Sequence, residues 1–284
     1  MSLKDIKTRI TSVANTRKTT SAMKMVSSVK LRKAQQSIHF ALPYVEQLND
    51  ILLHLTAMPR ARKMSPFVVE REVKKVAVVC FSSDSSLCGA FNSNIIKHCR
   101  ELIGDVTRID ANPYIYTVGQ KITEAFVREE IQIDRQYAGM MAKRSYDEAA
   151  MLADKLMDMY LNGHLDRVIL SYTHFISLGS QQIINETLLP VTIPSGKDEQ
   201  ETEYILEPSA EELMKTLLPK VIRMKVYCAV LDSYTSEQAA RMIAMQAATD
   251  NADNLIDELT LQFNKLRQQA ITNEILDLAG GSRN

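Results

Sequence analysis

The chain has 284 residues and a mass of 32.0 kDa, and its 34 Lys and Arg residues balance its 34 Asp and Glu residues. This neutrality gives no overall attraction for nucleic acid or for a membrane surface, so we expect no nucleic-acid partner. With 45% hydrophobic and 24% charged residues, the composition excludes wholesale disorder. Only nine Gly and eight Pro residues argue against an all-β sandwich and favour long helices.

The cysteines and the apolar runs exclude two further classes of protein. Four cysteines stand at positions 80, 88, 99 and 228, without a C-x-x-C pair or the spacing of a metal site. The longest strongly apolar run, from Val76 to Phe81, is far shorter than the about twenty residues of a membrane-spanning helix. We therefore predict reduced thiols and contact with a membrane only through other proteins.

The N-terminal segment predicts one long helix with a heptad seam. Alternating steps of three and four residues keep one register over eight heptads, as in a left-handed coiled coil. Pro43 predicts a kink, because it lacks a backbone donor and clashes with the preceding turn. The seam positions are Leu3, Ile6, Ile10, Val13, Arg17, Thr20, Lys24, Ser27, Leu31, Ala34, Ile38, Ala41, Val45, Leu48, Leu52 and Leu55.

The C-terminal segment shows the same period. Between Glu212 and Leu278 its only proline is Pro219, and no glycine occurs before Gly280 and Gly281, which predict the end of the helix. The seam runs through Met214, Leu217, Val221, Met224, Cys228, Leu231, Thr235, Gln238, Met242, Met245, Thr249, Ala252, Ile256, Leu259, Phe263, Leu266 and Ala270.

The two ends carry opposite charge. Residues 1–40 contain nine bases and one acid, a net charge of +8, whereas residues 237–284 contain four bases and seven acids, a net charge of −3. This asymmetry favours an intramolecular antiparallel coiled coil. A homodimeric coiled coil that carries an α/β module is the alternative.

Several seam positions of the first helix are polar or charged. Arg17, Thr20, Lys24 and Ser27 lie in the seam, whereas Met23 and other apolar residues nearby lie outside it. Buried Lys and Arg are costly unless they are paired, so this stretch is expected to face solvent or another protein. The alternative is that the methionines fill gaps in a thin coiled coil.

The middle of the chain predicts a small α/β domain. Strand-like runs at 76–81, 114–118 and 131–136 alternate with helices at 92–103, 120–129 and 145–161. Residues 167–190 read as a hairpin around Ser177–Ser180. The alternation predicts a Rossmann-like, mostly parallel sheet with an antiparallel edge.

This domain lacks the signatures of nucleotide or metal chemistry. It has no G-x-G-x-x-G, and Gly196-Lys197 lacks the upstream glycine of a phosphate loop. Cys88, in a strand-to-helix turn, could act as a nucleophile, but His98 and the other histidines form no triad or metal pattern. We expect no catalytic residue, no metal and no cofactor.

Motifs along essentially the whole chain resemble the gamma subunit of F-type ATP synthases. They are LKDIKTRITSVANTRKTTSAMKMVSSVKLRKAQ, SDSSLCGAFN, YILEP, and AARMIAMQAATDNA followed by QAITNEI. The chain departs from the family at Ser85 and Ser86, where a basic residue and glycine are usual, and this weakens any anion-holding role for that turn.

The resemblance implies a non-catalytic rotor shaft. The terminal helices would form an antiparallel coiled coil inside a ring of alpha and beta subunits, with one copy of this chain in each complex. The α/β domain would lie beside the epsilon subunit and the membrane c-ring, at the cytoplasmic face of a bacterial inner membrane. Ion flow would then turn the shaft and drive ATP synthesis at the beta sites.

The resemblance also implies contact residues. Met23, Lys24 and Arg241 resemble a band that faces catalytic-subunit loops, and Gln268, Thr272 and Glu274 resemble an upper band near the inner wall of the ring. Tyr204 and Glu207 resemble a foot segment that touches the c-ring. The predicted organisation is a coiled-coil helix at 1–58, an α/β domain at 70–193, a linker and foot at 194–208, and a second coiled-coil helix at 209–284.

Overall fold

The computed structural model describes residues 2–57, 66–68, 71–191, 207 and 209–281. In these ranges the elements follow in the order α1 Leu3–Ala57, β1 Lys75–Phe81, α2 Phe91–Arg108, β2 Asn112–Val118, α3 Gln120–Arg128, β3 Arg135–Tyr137, α4 Met140–Lys143, α5 Tyr146–Leu161, β4 Arg167–Ser177, β5 Ser180–Leu189 and α6 Ala210–Gly281. The two long terminal helices and the central α/β domain confirm the predicted fold class.

The strands form one sheet in the order β3-β2-β1-β4-β5. Strands β1, β2, β3 and β4 pair in parallel, and β5 pairs antiparallel with β4 at one edge. This is the mostly parallel sheet with an antiparallel edge that the sequence predicted. The third strand is only three residues long: Ile131 and Ile133, which the sequence placed in it, lie outside the strand and pack against the core on the α2–α3 face.

The sheet separates two apolar layers. On one face α2 and α3 pack through Ile95, Cys99, Ile122 and Phe126. On the other face α5, part of α1 and part of α6 share a core with the sheet. Because both faces are covered, β1 is buried along nearly its whole length and reads as a continuous apolar run.

The chain divides into two compact units, each of which includes part of α1 and part of α6. The first is formed by the described residues up to Val29 and from Arg241 onward, and the second by those from Lys30 to Ala240. The helices continue through Pro43 and Pro219. The predicted division at 58, 70, 194 and 209 stays a prediction.

The heptad register agrees with the burial of the side chains. In the first unit, Ile6, Met245, Ala252 and Leu259 are buried, and all are predicted seam positions. In the second unit, Leu31, Ala34, Leu48 and Leu52 of the same register are buried. A helix of 55 residues and one of 72 residues span about 80 Å and about 110 Å at 1.5 Å per residue.

Candidate partner-binding surface

Polar contacts join the two helices of the first unit at three successive levels. Arg17 Nη1 donates to Asp253 Oδ1 at 2.8 Å, the hydroxyls of Thr20 and Thr249 lie 2.8 Å apart, and Lys24 Nζ donates to Gln246 Oε1 at 2.6 Å. As the residue number rises on α1 it falls on α6, so the helices run antiparallel. We call these three contacts the polar seam.

The polar seam corrects one prediction from the sequence. Arg17 and Lys24 were expected to point away from the second helix toward an outside partner, and that expectation is wrong because both side chains bond to α6. The opposing helix α6 supplies a carboxylate to Arg17 and a side-chain amide oxygen to Lys24. Neither base therefore lies unpaired in the seam. The Arg17 and Asp253 side chains are 45% and 49% exposed, so water still reaches this pair.

An apolar stripe lies on the outer side of α1. Met25, Val26 and Val29 are 63%, 52% and 58% exposed. They fall on one helix face at spacings of three and four residues, and they lie outside the heptad seam, as the sequence indicated. An exposed cluster of large apolar side chains marks a surface that another protein covers.

A second exposed surface lies near the end of α6. Gln268, Thr272 and Glu274 are exposed, as their predicted role requires. Ile271 and Ile275, which sequence reasoning did not single out, stand on the same side of the helix and are 48% and 59% exposed. Both residues lie outside the heptad seam and stand four residues apart. This pattern could have identified them from the sequence. Leu276, in the same stretch of α6, is 63% exposed.

The other predicted contact residues differ in accessibility. Met23 and Lys24 are half-buried, and Arg241 is buried with 8% of its surface exposed. Arg241 therefore offers little surface to a partner. Glu207, of the predicted foot, is exposed, and Tyr204 lies outside the described residues.

At the carboxyl end of β1, the first amides of α3 are paired within the chain. Asp84 Oδ1 accepts from the amide of Gln120 at 3.1 Å, the Ser83 carbonyl accepts from Lys121 at 3.0 Å, and the Ser82 hydroxyl accepts from Ile122 at 3.0 Å. The first amides of α3 are thus occupied by the loop after β1. The Asp84 carboxylate thus takes the amide of Gln120 that a phosphate at this helix terminus would use.

The loop after β1 approaches α3 closely only because residue 119 is glycine. Gly119 has φ of +101°, and a Cβ there would lie 2.2 Å from the Ser82 carbonyl oxygen. Glycine tolerates both the backbone angle and the contact.

Cys88 is not placed for nucleophilic chemistry. Its side chain is 1% exposed, and its sulfur accepts from Asn92 Nδ2 at 3.1 Å. His98 Nε2 lies 3.1 Å from Asn185 Oδ1, so the nearest histidine in sequence is engaged elsewhere. Elsewhere in the domain, a hydrogen bond with Cys99 and burial raise the pKa of Cys80, which keeps it a thiol.

A partly buried carboxylate holds α6 against β4. Asp232 Oδ1 accepts from the amide of Phe175 at 2.8 Å, and its Oδ2 contacts His174 Nδ1. Burial raises the pKa of Asp232, although the hydrogen bonds from His174 and Phe175 lower it. Ser236 donates to the Thr173 carbonyl at 3.0 Å, so α6 covers β4 beyond its pairing with β1.

Neither a membrane span nor a metal cluster occurs among the described residues. No helix in this part of the chain has an apolar stretch long enough to cross a membrane. Within the same residues, no three His, Cys, Asp or Glu side chains come together as metal ligands would.

Comparisons with known proteins agree on one family. A sequence model described as ATP synthase matches residues 2–283. The ATP synthase gamma chain of Bacteroides fragilis is 50% identical over 99% of both chains, and that of Bacteroides thetaiotaomicron is 48% identical over the same shares. The corresponding chain of Desulfitobacterium hafniense is 40% identical over 99% of this chain and 98% of its own.

Solved structures show the same fold. A chain of the Euglena gracilis mitochondrial ATP synthase rotor superposes with a TM-score of 0.66 at 18% identity, covering 95% of this chain and 98% of its own. A chain from the Tetrahymena thermophila mitochondrial ATP synthase central stalk and c-ring superposes with a TM-score of 0.63 at 23% identity, covering 81% and 98%.

Proposed function

Because the chain belongs to the family of ATP synthase gamma chains, we propose that it is the shaft that carries torque between a membrane c-ring and a catalytic ring of alpha and beta subunits. The similarity to known gamma chains confirms the family that the sequence motifs indicated. In this role the chain performs no chemistry itself, and ion flow is coupled to ATP synthesis through its rotation.

The exposed apolar stripe of Met25, Val26 and Val29 is the observation that carries the proposal. A pair of helices is too thin to bury both its seam and an outer apolar stripe. The stripe can therefore be covered by a protein that surrounds the pair. The stripe occupies one side of α1 only. A rotating shaft with one apolar side presents different surfaces in turn to three equivalent catalytic subunits.

The surface composition suits a shaft that must turn. Gln268, Thr272 and Glu274 are short or polar groups beside the apolar Ile271 and Ile275. Exposed polar contacts contribute little each and exchange readily, so they oppose rotation weakly. Met23, and the part of Lys24 left exposed beside its bond to Gln246, add a half-buried band that contacts the catalytic-subunit loops.

The partners are the alpha, beta, epsilon and c-ring subunits, with one copy of this chain in each complex. The foot that contacts the c-ring includes Tyr204 and Glu207. The complex lies at the cytoplasmic face of a bacterial inner membrane, where this chain is peripheral.

Co-expression with the alpha and beta subunits of the same organism tests the proposal. We expect a soluble complex with ATPase activity, and native mass spectrometry should give one copy of this chain for three of each partner. Val26→Asp with Val29→Asp should weaken assembly, whereas Val127→Asp, an equally exposed valine of the α/β domain, should not. A defined homodimer of this chain that excludes the other subunits would support the coiled-coil scaffold instead.

A further inference from the structure

The short strand β3 forms one edge of the sheet. It pairs in parallel with β2 through Arg135, Gln136 and Tyr137, and among the described residues no strand lies on its other side. A free strand edge presents unpaired backbone donors and acceptors that can accept a further strand. This edge lies within the second compact unit, whereas Met25, Val26 and Val29 belong to the first.

Two open grooves flank this edge, one toward each face of the sheet. The groove on the α2–α3 side has a volume of about 480 Å³ and is lined by Val127, Ile131, Ile133, Asp134, Arg135 and Gln136. The groove on the α5 side has a volume of about 420 Å³, and its lining includes Arg135, Tyr137, Met151 and Lys155. Both grooves end on the strand.

The first groove has an aliphatic wall formed by Val127, Ile131 and Ile133. Its aliphatic side chains include Val127, which is 65% exposed. Its carboxylate is already engaged, because Asp134 Oδ2 accepts from the amide of Ile115 at 2.6 Å. A ligand side chain that packs against this wall therefore meets hydrocarbon.

The second groove is cationic. Arg135 and Lys155 are exposed, and in the described part of the chain neither makes a hydrogen bond or an ion pair through its side chain. The one acid of the lining, Glu148, is 2.6 Å from Lys143 and is neutralised by it. Met151 lies between Glu148 and Lys155 on the same face of α5 and is 62% exposed.

From these contacts we propose that the β3 edge binds an extended segment of another polypeptide in which apolar and acidic residues alternate. A strand sends successive side chains to opposite faces of a sheet. A segment added beside β3 would therefore place its apolar residues in the first groove and its carboxylates near Arg135 and Lys155. Backbone hydrogen bonds supply affinity, and the two grooves supply specificity.

Fluorescence anisotropy with the purified full chain tests this. The probe is a labelled, end-capped octapeptide that alternates Val and Glu. We expect saturable binding, weakened at least about tenfold by Arg135→Glu with Lys155→Glu, because two attractive charges become repulsive. Hydrogen exchange should show new protection of the Gln136 region when the peptide is bound.

Two matched controls separate strand addition from simple charge attraction. Lys7→Glu with Arg9→Glu makes the same change of charge at exposed positions of α1 and should leave peptide binding unchanged. The same octapeptide with alternate amides N-methylated keeps its charge but loses strand donors, and it should not bind.

Three results would overturn the proposal: no saturable binding at millimolar peptide, equal binding of the N-methylated peptide, or equal loss in the Lys7 and Arg9 variant. Retention of the chain on anionic phospholipid vesicles through Arg135 and Lys155, without peptide binding, would also overturn it in favour of a lipid surface. None of these measurements depends on assembly of the ATP synthase.

Discussion

Arg17 Nη1 lies 2.8 Å from Asp253 Oδ1, and this ion pair occupies a heptad position that is apolar in a simple coiled coil. It stands at one end of the polar seam, followed by the Thr20–Thr249 and Lys24–Gln246 contacts. A shift of one helix by a single heptad would separate all three pairs and leave the bases without these partners. We infer that the polar seam fixes the register and the antiparallel direction of the two helices.

Reversing the charge of Arg17 tests this role. Arg17→Glu should lower the free energy of unfolding of the purified chain by about 1 kcal/mol, since the partly exposed attraction becomes a repulsion. Adding Asp253→Arg should restore it. Urea unfolding measures the change, and Lys18→Glu, exposed on the same helix, is the control. A double variant no more stable than Arg17→Glu alone would contradict the inferred pairing.

Replacing Gly119 by Ala should destabilise the α/β domain strongly. The new Cβ would lie 2.2 Å from the Ser82 carbonyl oxygen at a φ of +101°. We expect a loss of about 3 kcal/mol or more, because both strain and displacement of the loop after β1 contribute. Gly163→Ala is the matched control, since φ is +70° there but nothing lies within 4 Å of the added Cβ. If Gly119→Ala and Gly163→Ala lost equal thermal stability, the close contact at residue 119 would be relieved at little energetic cost.

The partly buried carboxylate of Asp232 should make stability depend on pH. Its folded pKa is raised above the usual 3.8 mainly by burial. Its contribution to stability is therefore fully present below pH 3.8 and is lost as pH rises through the raised value. As the pH rises through this range, the Asp232→Asn variant should become more stable relative to the wild type. At higher pH the difference in stability between the two proteins should stay constant. Denaturant midpoints measured from about pH 3 to about pH 7 give the comparison.

His174 provides the control for this pH effect. His174→Gln removes the histidine contact that lowers the pKa of Asp232, so the pH range over which Asp232→Asn gains stability should widen upward. A pH-independent difference between Asp232→Asn and the wild type would contradict the assignment.

The foot segment should matter for membrane attachment and not for ATP hydrolysis. Tyr204→Ala with Glu207→Ala should reduce retention of the complex on membranes by about tenfold at low salt, since docking depends on a few aromatic and charged contacts. Soluble ATPase activity should stay unchanged. Lys220→Ala, an exposed change near the start of α6, is the control. Full retention of the double variant on membranes at every salt concentration would show that these two residues do not contribute to contact with the c-ring.

Much of the fold could be predicted because its signals are local. Heptad spacing alone identified buried seam residues such as Ile6 and Leu259. The apolar run of β1 and the hairpin of β4 and β5 followed from strand period and turn chemistry. The exposure of Met25, Val26 and Val29 followed from their positions outside the seam.

The partners of polar side chains could not be predicted in the same way. The sequence places Arg17 and Lys24 in a seam, but it does not show which α6 residue stands opposite each one. That depends on the register between residues more than 200 positions apart. The prediction that they faced outward was therefore wrong, although the heptad assignment beneath it was right.

The sequence by itself determined the lengths of the terminal helices, the class of the central sheet and the family, because helix period, strand period and motif order reside in neighbouring residues. Only the tertiary structure decided that Asp84 accepts from the amide of Gln120, that Asp232 lies partly buried against β4, and that a cationic groove accompanies the β3 edge. Each of these brings together groups from separate elements. Their energies depend on distance and burial, which chain order does not contain.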